Sequence, residues 1–361
     1  MTQVLAFYLP QFHETEHNNM WWGKGYTEWT AVRNAKKLCS SQRIPRIPMN
    51  NNYYDLSQSD GAAWKWQAEL ARKYGVDGFV IYHYWFGGQK ELNLPAEILL
   101  AHPEIDISYS FCWDSNSWRR TWYDSKNSEI LVEQNYGETD MWKKHFEDLL
   151  PFFKDQRYIK KDNKPVFHIY RPLSISCLPE MKAAWNKWAM EEGFNGIFFV
   201  LQNHQTTESI KRSADALYNF EPNRIVEETD DCRYKIGINI RNSMNKHTLK
   251  LPFTIYNIRN GNKVLELIEE EKPEHGVYQG TFAGYDDSPR RQKKAVIYTQ
   301  ILPERFEKNL AILLQNAKKV ANEFVYINAW NEWGECAYLE PDTDNGYAYL
   351  EAVKRAVEGR N

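Results

Sequence analysis

The sequence predicts an α/β chain folded as a (β/α)8 barrel, with long loops after the first and sixth strands. Three observations predict it. Eight short apolar runs recur along the 361 residues. Most are continuously apolar rather than alternating, as strands of a parallel sheet covered on both faces are. Amphipathic stripes of helical period lie between them. A doubly wound sheet is the alternative, but no GxGxxG turn follows an early strand. The length suits one large domain or two modest ones. With no low-complexity linker and no internal repeat, residues 1–361 are read as a single (β/α)8 barrel domain.

Taken in order, the expected strands are 4–9, 78–85, 107–113, 165–170, 196–202, 216–220, 280–285 and 323–330. Trp66, Leu70 and Tyr74 recur at a spacing of four after the first strand, a helical stripe. Trp142, Phe146, Leu149, Leu150 and Phe153 form a second stripe, and Met181, Ala184, Trp185 and Trp188 a third. Phe306, Leu310, Leu313, Leu314 and Ala317 precede the last strand, and Leu350, Val353 and Val357 close the chain. These faces cover a sheet and call for no functional explanation. The connections 11–60 and 221–279 are too long to be simple turns, and long structured loops on a barrel build clefts.

Composition excludes several classes. A net charge of −3 offers no field for nucleic acid or anionic lipid. The basic run Arg290, Arg291, Lys293, Lys294 reads as a solvated loop or helix start. Five cysteines, Cys39, Cys112, Cys177, Cys232 and Cys336, are scattered and without CxxC, against a disulfide scaffold and a zinc site. No metal and no cofactor is expected. No apolar stretch reaches bilayer length, and the N-terminus lacks the charged region and cleavage site of a signal peptide, so a cytoplasmic chain without membrane insertion is expected. Aromatics are 15% of residues, with 14 Trp and 22 Tyr. Indole is bulky and its N–H wants a partner, so a surplus of Trp fits a carbohydrate ligand that packs on ring faces.

The segment VYINAWNEWGECAYLEPD at 325–342 concentrates the chemistry. An apolar strand runs into Asn331, Glu332 and Glu335, with Trp330 and Trp333 interleaved. Two nearby carboxyls suit glycosidic-bond chemistry, which needs one to give a proton and one to manage charge developing on the sugar. The plainer reading is a surface loop with ordinary acids. Residues an odd number apart on a strand face opposite ways, so both glutamates meet one substrate only if the strand ends by about Asn331 and the chain turns. Gly334 makes that turn easy.

In such a barrel the site lies at the C-terminal ends of the strands. The expected substrate-binding set follows from them: Tyr8 and His13 after the first strand, His83, Tyr84 and Trp85 after the second, Trp113, Trp118 and Arg120 after the third. Tyr170 and Arg171 follow the fourth, Asn203 the fifth, Asp286 the seventh, Asn331 and Trp333 the eighth. Tyr82, Gln11, Asp114, Gln202, His204, Glu221, Tyr285 and Asp287 stand at the same ends. Trp22, Glu28 and Trp29, in WWGKGYTEWT at 21–30, complete the set. Each has a duller reading. His83 serves equally as a core histidine, Arg171 as an ion-pair partner of Asp286 or a glutamate, and Asp286-Asp287 as a turn.

The chain resembles the WbsX-type polysaccharide proteins of O-antigen and capsule gene clusters, a group similar to glycoside hydrolase family 99. The resemblance rests on AFYLPQFH at 6–13, WWGKGYTEWT at 21–30, YGVDGFVIYHYWF at 74–86, FCWDSNSWRRTW at 111–122, KPVFHIYRP at 164–172, FAGYDDSPRR at 282–291 and NAWNEWGECAYLEPD at 328–342. It implies a (β/α)8 retaining α-mannosidase-like enzyme whose Asn-Glu-Trp-x-Glu motif matches Asn331, Glu332, Trp333 and Glu335. By that resemblance Glu335 is the general acid/base, with a pKa expected near neutrality. Glu332 is the base on the sugar's 2-hydroxyl, which attacks the anomeric carbon in place of an enzyme nucleophile. Ser115 and Asn116 stand where relatives carry Asn-Glu, and Cys336 where a glycine is common. The group's naming as glycosyltransferases keeps transfer as the alternative. A non-catalytic sugar-binding barrel is the third reading.

Overall fold

The structure, a computed structural model, describes residues 2–40, 42–120, 129–204, 207–229 and 257–359. Cys232, the end of the 111–122 motif and the middle of the long connection 221–279 lie outside the described residues.

Nine parallel strand segments close a barrel: β1 (Gln3–Tyr8), β2 (Gly78–Phe86), β3 (Ser108–Asp114), β4 (Lys164–Tyr170), β5 (Phe198–Gln202), β6 (Ala216–Tyr218), β7 (Val277–Tyr278), β8 (Gly280–Phe282) and β9 (Phe324–Asn328). The order around the wall is the order in sequence, with β9 pairing back onto β1. β7 pairs β6 and β8 pairs β9. The two are successive pieces of one strand position, joined at Gln279, whose carbonyl accepts from Tyr326 N–H at 3.0 Å. The barrel therefore has eight positions. The expected seventh strand began late and ran too far. It starts at Val277, and 283–285 leave the sheet for the site.

Alternation along each strand divides the side chains in two. Leu5, Phe7, Val80, Cys112, Val166, Val200, Tyr218 and Tyr326 fill the barrel interior. Ala6, Tyr8, Phe79, Ile81, Trp85, Phe111, Trp113, Phe167, Ile169 and Phe199 face outward beneath the helices. Those helices are the stripes read from the sequence: Ala62–Lys73, Thr139–Lys154, Leu178–Glu191, Pro303–Lys319 and Ala348–Glu358. The described cysteines, Cys39, Cys112, Cys177 and Cys336, are free thiols. Among the described residues no helix is long and apolar enough to cross a membrane.

Three insertions rise from the C-terminal rim. Residues 11–60 carry α1 (Glu16–Trp22) and α2 (Glu28–Asn34). Thr15 caps α1 by accepting from Asn18 N–H at 3.1 Å. The first N–H of α2, from Glu28, bonds the Gln11 carbonyl at 3.0 Å and fixes that helix over the end of β1. Between β3 and β4, Trp118–Arg119 pairs antiparallel with Ile130–Val132, so this connection is an insertion too. The described start of the third insertion carries the helix Asn223–Thr229.

Candidate active site

β9 ends at Asn328, and the chain turns back on itself. Asn331–Glu332 pairs antiparallel with Ala337–Tyr338 across the 3-10 turn Trp333–Glu335. This is the turn the glutamate spacing demanded. Its glycine has a different reason from the one expected. Gly334 does not adopt positive φ; a Cβ there would collide with the Glu28 carboxylate and press on Arg290 Nε at 2.7 Å. Asn331 holds the hairpin down: its Oδ1 accepts from Leu9 N–H at 2.7 Å and its Nδ2 donates to Leu9 O at 3.0 Å.

Around that turn three carboxylates meet one guanidinium. Arg290 donates through Nε to Glu28 Oε1 at 2.9 Å, through one terminal nitrogen to Glu332 Oε2 at 2.8 Å and through the other to Glu335 Oε1 at 2.8 Å. Arg290 is 6% exposed and Glu28 fully buried. A planar fork of donors fits such a cluster as a lysine would not. One positive charge does not neutralise three negative ones, so the cluster retains protons. Burial, helped by the charges of Glu335 and Glu28, pushes Glu332 up to about 8 against the pull of Arg290. Burial likewise raises Glu28, again against Arg290. Glu332, which the resemblance makes the base on the 2-hydroxyl, is thus a carboxyl held above its ordinary range.

Glu332 and Glu335 open onto a cleft of about 660 Å³ at the C-terminal ends of the strands. Tyr82 and Tyr84 of β2, Asp114 of β3, Tyr170 of β4, Phe220 after β6 and Tyr285 after β8 line its floor. Burial holds the Tyr82, Tyr84 and Tyr285 phenols well above their ordinary pKa, so they stay neutral donors. The insertions supply the walls: Trp21 and Trp22 from α1, and Trp118, Arg119 and Tyr136 from the second insertion. Trp118 stands edge-on to Trp21 at 5.9 Å and to Tyr84 at 5.0 Å. Half-buried indoles above neutral phenols and a carboxyl pair can pack a sugar face, bond its hydroxyls and move a proton at an acetal oxygen. Among the described residues no three His, Cys, Asp or Glu stand ready for a metal ion.

A family model described as glycosyltransferase WbsX matches residues 4–353. This chain belongs to the WbsX family. Two proteins of Xanthomonas campestris pv. campestris, both described as uncharacterized protein WxcX, are 30% and 31% identical over 361 residues, 98% of this chain. The chain spans about half the length of these curated relatives, 49%. Among solved structures, the GH99 endo-α-mannosidase of Bacteroides thetaiotaomicron aligns with a TM-score of 0.58 and 11% identity, covering 99% of this chain and 97% of that one. A glycoside hydrolase-like protein aligns at 0.57 with 13% identity over 99% and 94%. At such identity the likeness is one of fold, and it is the barrel fold the sequence predicted.

In this WbsX-family chain the expected binding set divides. Trp22, Tyr84, Trp118, Tyr170 and Arg171 line the cleft with Glu332 and Glu335. The others do not, each for a reason of packing. Tyr8 points outward, stacks on Trp64 at 4.5 Å and donates to Gln67. His83, Trp85 and Trp113 also face the helices. His83 Nε2 meets His145 Nε2 at 2.8 Å, Trp85 stacks on His145 at 4.5 Å, and Trp113 donates to the Trp85 carbonyl. Burial drops His83 to about 3, so it is neutral. His13 bonds the Pro10 carbonyl. Trp29 donates to Tyr54 O at 2.8 Å and Trp333 to Glu340 at 2.6 Å; both are buried. Asn203 bonds Asn219, and Asp286 accepts from Gln42. Arg120 pairs with Glu129 and donates to Trp21 O, bracing the wall from behind. Asn331 and Glu28 support the glutamates rather than facing the cleft. The basic run is not a solvated segment throughout: Arg290 is the centre of the site and Arg291 lines the cleft, while Lys293 and Lys294 are exposed.

Proposed function

We propose that the chain is a retaining glycoside hydrolase that acts on a bacterial surface polysaccharide or an oligosaccharide derived from one. Glu335, at the cleft surface, serves as general acid/base. Glu332, deeper, is the base that draws the proton from the sugar's 2-hydroxyl, so that this oxygen displaces the leaving group. Glu335 protonates the leaving oxygen and then deprotonates the water that opens the strained intermediate. The observation that carries this reading is the shared guanidinium. Arg290 holds both carboxyls to one spot on the cleft floor, within reach of one acetal and under aromatic walls. Preorganised charge at the reacting atoms is the largest catalytic effect a rigid site offers.

Glu335→Gln should remove turnover by about 10³-fold or more while leaving ligand binding in place. Proton NMR of the first-formed anomer from polysaccharides and α-mannosides checks activity and stereochemistry together. Activity within a few-fold of wild type rules out the assigned role. Inversion rules out the 2-hydroxyl route.

Transfer to a sugar acceptor is the second reading, favoured by the family's description as glycosyltransferases. The same glutamates perform it if a sugar replaces water. The nearest sequence sign of a nucleotide-sugar site, Asp342-x-Asp344, does not support a diphosphate. Asp342 is buried and spent on the loop, accepting from Tyr338 Oη at 2.7 Å and from Asn345 N–H.

A further inference from the structure

We propose that the cleft takes an acidic sugar and that Arg171 binds its carboxylate beside the scissile linkage. This inference rests on the carbohydrate reading above and names its substrate class.

The chain carries a net charge of −3, yet four arginines line the cleft: Arg119, Arg171, Arg290 and Arg291. The acids that line it are Asp114, Glu332 and Glu335. A cleft opposite in sign to its protein attracts ligands of the protein's own sign. Arg119 has a partner of its own, and Arg290 and Arg291 are held in ion pairs. Arg290 is spent on three glutamates, and Arg291 Nε lies 3.1 Å from Asp287 Oδ2. Arg171 makes no ion pair among the described residues. It pairs with neither Asp286 nor a glutamate, the two structural roles open to it from sequence. Its guanidinium lies 5.6 Å from the Tyr170 ring centre. Asp114 is the acid its charge reaches, and Asp114 is already bonded by Asn116 Nδ2 at 3.0 Å.

The backbone aims this side chain at some cost. Pro172 steers the residue before it toward extended geometry. Arg171 instead sits at φ 56°, ψ 61°. Its N–H donates to Gln202 Oε1 at 3.0 Å and its carbonyl accepts from Ser115 Oγ at 3.4 Å. A non-glycine residue in this region persists only where its surroundings over-determine it, and such residues gather at ligand clamps. Tyr170 and Arg171 line the same cleft as Glu332 and Glu335. The bound carboxylate therefore belongs to the sugar at or next to the bond being cut. A guanidinium is charged at every relevant pH and takes a carboxylate through two parallel hydrogen bonds.

The test is calorimetry on the full chain carrying Glu335→Gln, so that substrate survives. Oligosaccharides of mannuronate, glucuronate and galacturonate are titrated, each against its carboxyl-reduced neutral counterpart. At least one acidic series should bind tenfold or more tighter than its neutral form, and the gap should narrow as salt rises. Arg171→Met should bring the acidic ligand down to the neutral level, and Arg171→Lys should keep part of the preference. Equal binding of acidic and neutral forms in all three series overturns the proposal. So does a preference that survives Arg171→Met with an unchanged circular dichroism spectrum. Cleavage of neutral glycans without acidic preference leaves the hydrolase reading standing and removes this one. Acidic preference with no cleavage by the wild-type chain does the reverse.

Discussion

Glu332 and Glu340 stand on the same loop after β9, both buried and both with burial as the first cause of a raised pKa, about 8 and about 7. Their surroundings differ. Glu340 accepts from Trp333 Nε1 at 2.6 Å, Gln67 Nε2 at 2.7 Å and Tyr54 Oη at 3.0 Å, all neutral donors, and no part of it lines the cleft. Glu332 shares one arginine with two other acids and opens onto the cleft. A raised pKa therefore does not by itself distinguish the carboxyl proposed to react from one that only ties the fold. Incomplete neutralisation and access to a ligand do. Glu340 is a tie that holds Gln67 of the helix Ala62–Lys73, Tyr54 of the first insertion and the Trp333 turn together, while Glu332 shares its arginine with two other acids.

The comparison breaks most sharply at Arg290. Arg290→Met leaves three carboxyls around an apolar chain, and removing one partner of a buried ionic cluster costs about 3–5 kcal/mol. Denaturant unfolding at pH 7 should show a loss of that size, together with loss of turnover. The loss should shrink at pH 5, where the buried carboxyls take up protons. An equal loss at both pH values means that Arg290 matters for its packing rather than for its charge.

Amide replacements at the two glutamates should then part company. Glu332→Gln should lower turnover by about 10²–10⁴-fold, the range for a lost acid–base group, with little change in stability at pH 7. Glu340→Gln puts an NH₂ opposite the donors at Tyr54, Gln67 or Trp333. It should cost about 1–3 kcal/mol of stability with turnover per folded molecule largely kept, because a buried donor is left unmade. Denaturant curves and initial rates on both variants decide it, and a stable but inactive Glu340→Gln would erase the distinction.

The barrel was legible because burial on both faces writes continuous apolar runs, and the glutamate pair because a strand running into two acids is a strong local signal. The binding set was legible only in part, because both faces of each strand were credited to the cleft. Period-two parity separates them. In Gly78–Phe86, Tyr82 and Tyr84 face inward with Val80, while His83 and Trp85 face the helices with Phe79 and Ile81. The same parity moves Tyr8 and Trp113 outward and brings Asp114 inward. Arg290 had no local signal. Its partners Glu28, Glu332 and Glu335 lie 262, 42 and 45 residues away, so a buried arginine reads in sequence like the exposed lysines beside it.

The finest separation of the two glutamates is by pH. A carboxyl whose folded pKa lies above its unfolded value contributes fully below about 4.3 and loses that contribution as pH rises through the folded pKa. Glu340 and Asp287, both raised to about 7, titrate near there, whereas Glu332 continues to about 8. Between pH 7 and 8 the difference in stability between wild type and Glu332→Gln should still change with pH, by at most about 1.4 kcal/mol per unit for one proton. The same difference taken with Glu340→Gln should change less over that window, because Glu340 has already lost about half its proton at pH 7. Activity follows the same proton. If Glu332 is the base, kcat/KM of the free enzyme climbs from pH 6 toward 8 as that carboxyl ionises. A fall over this range would instead make Glu332 the proton donor and exchange the two roles, with the shared guanidinium and the cleft unchanged.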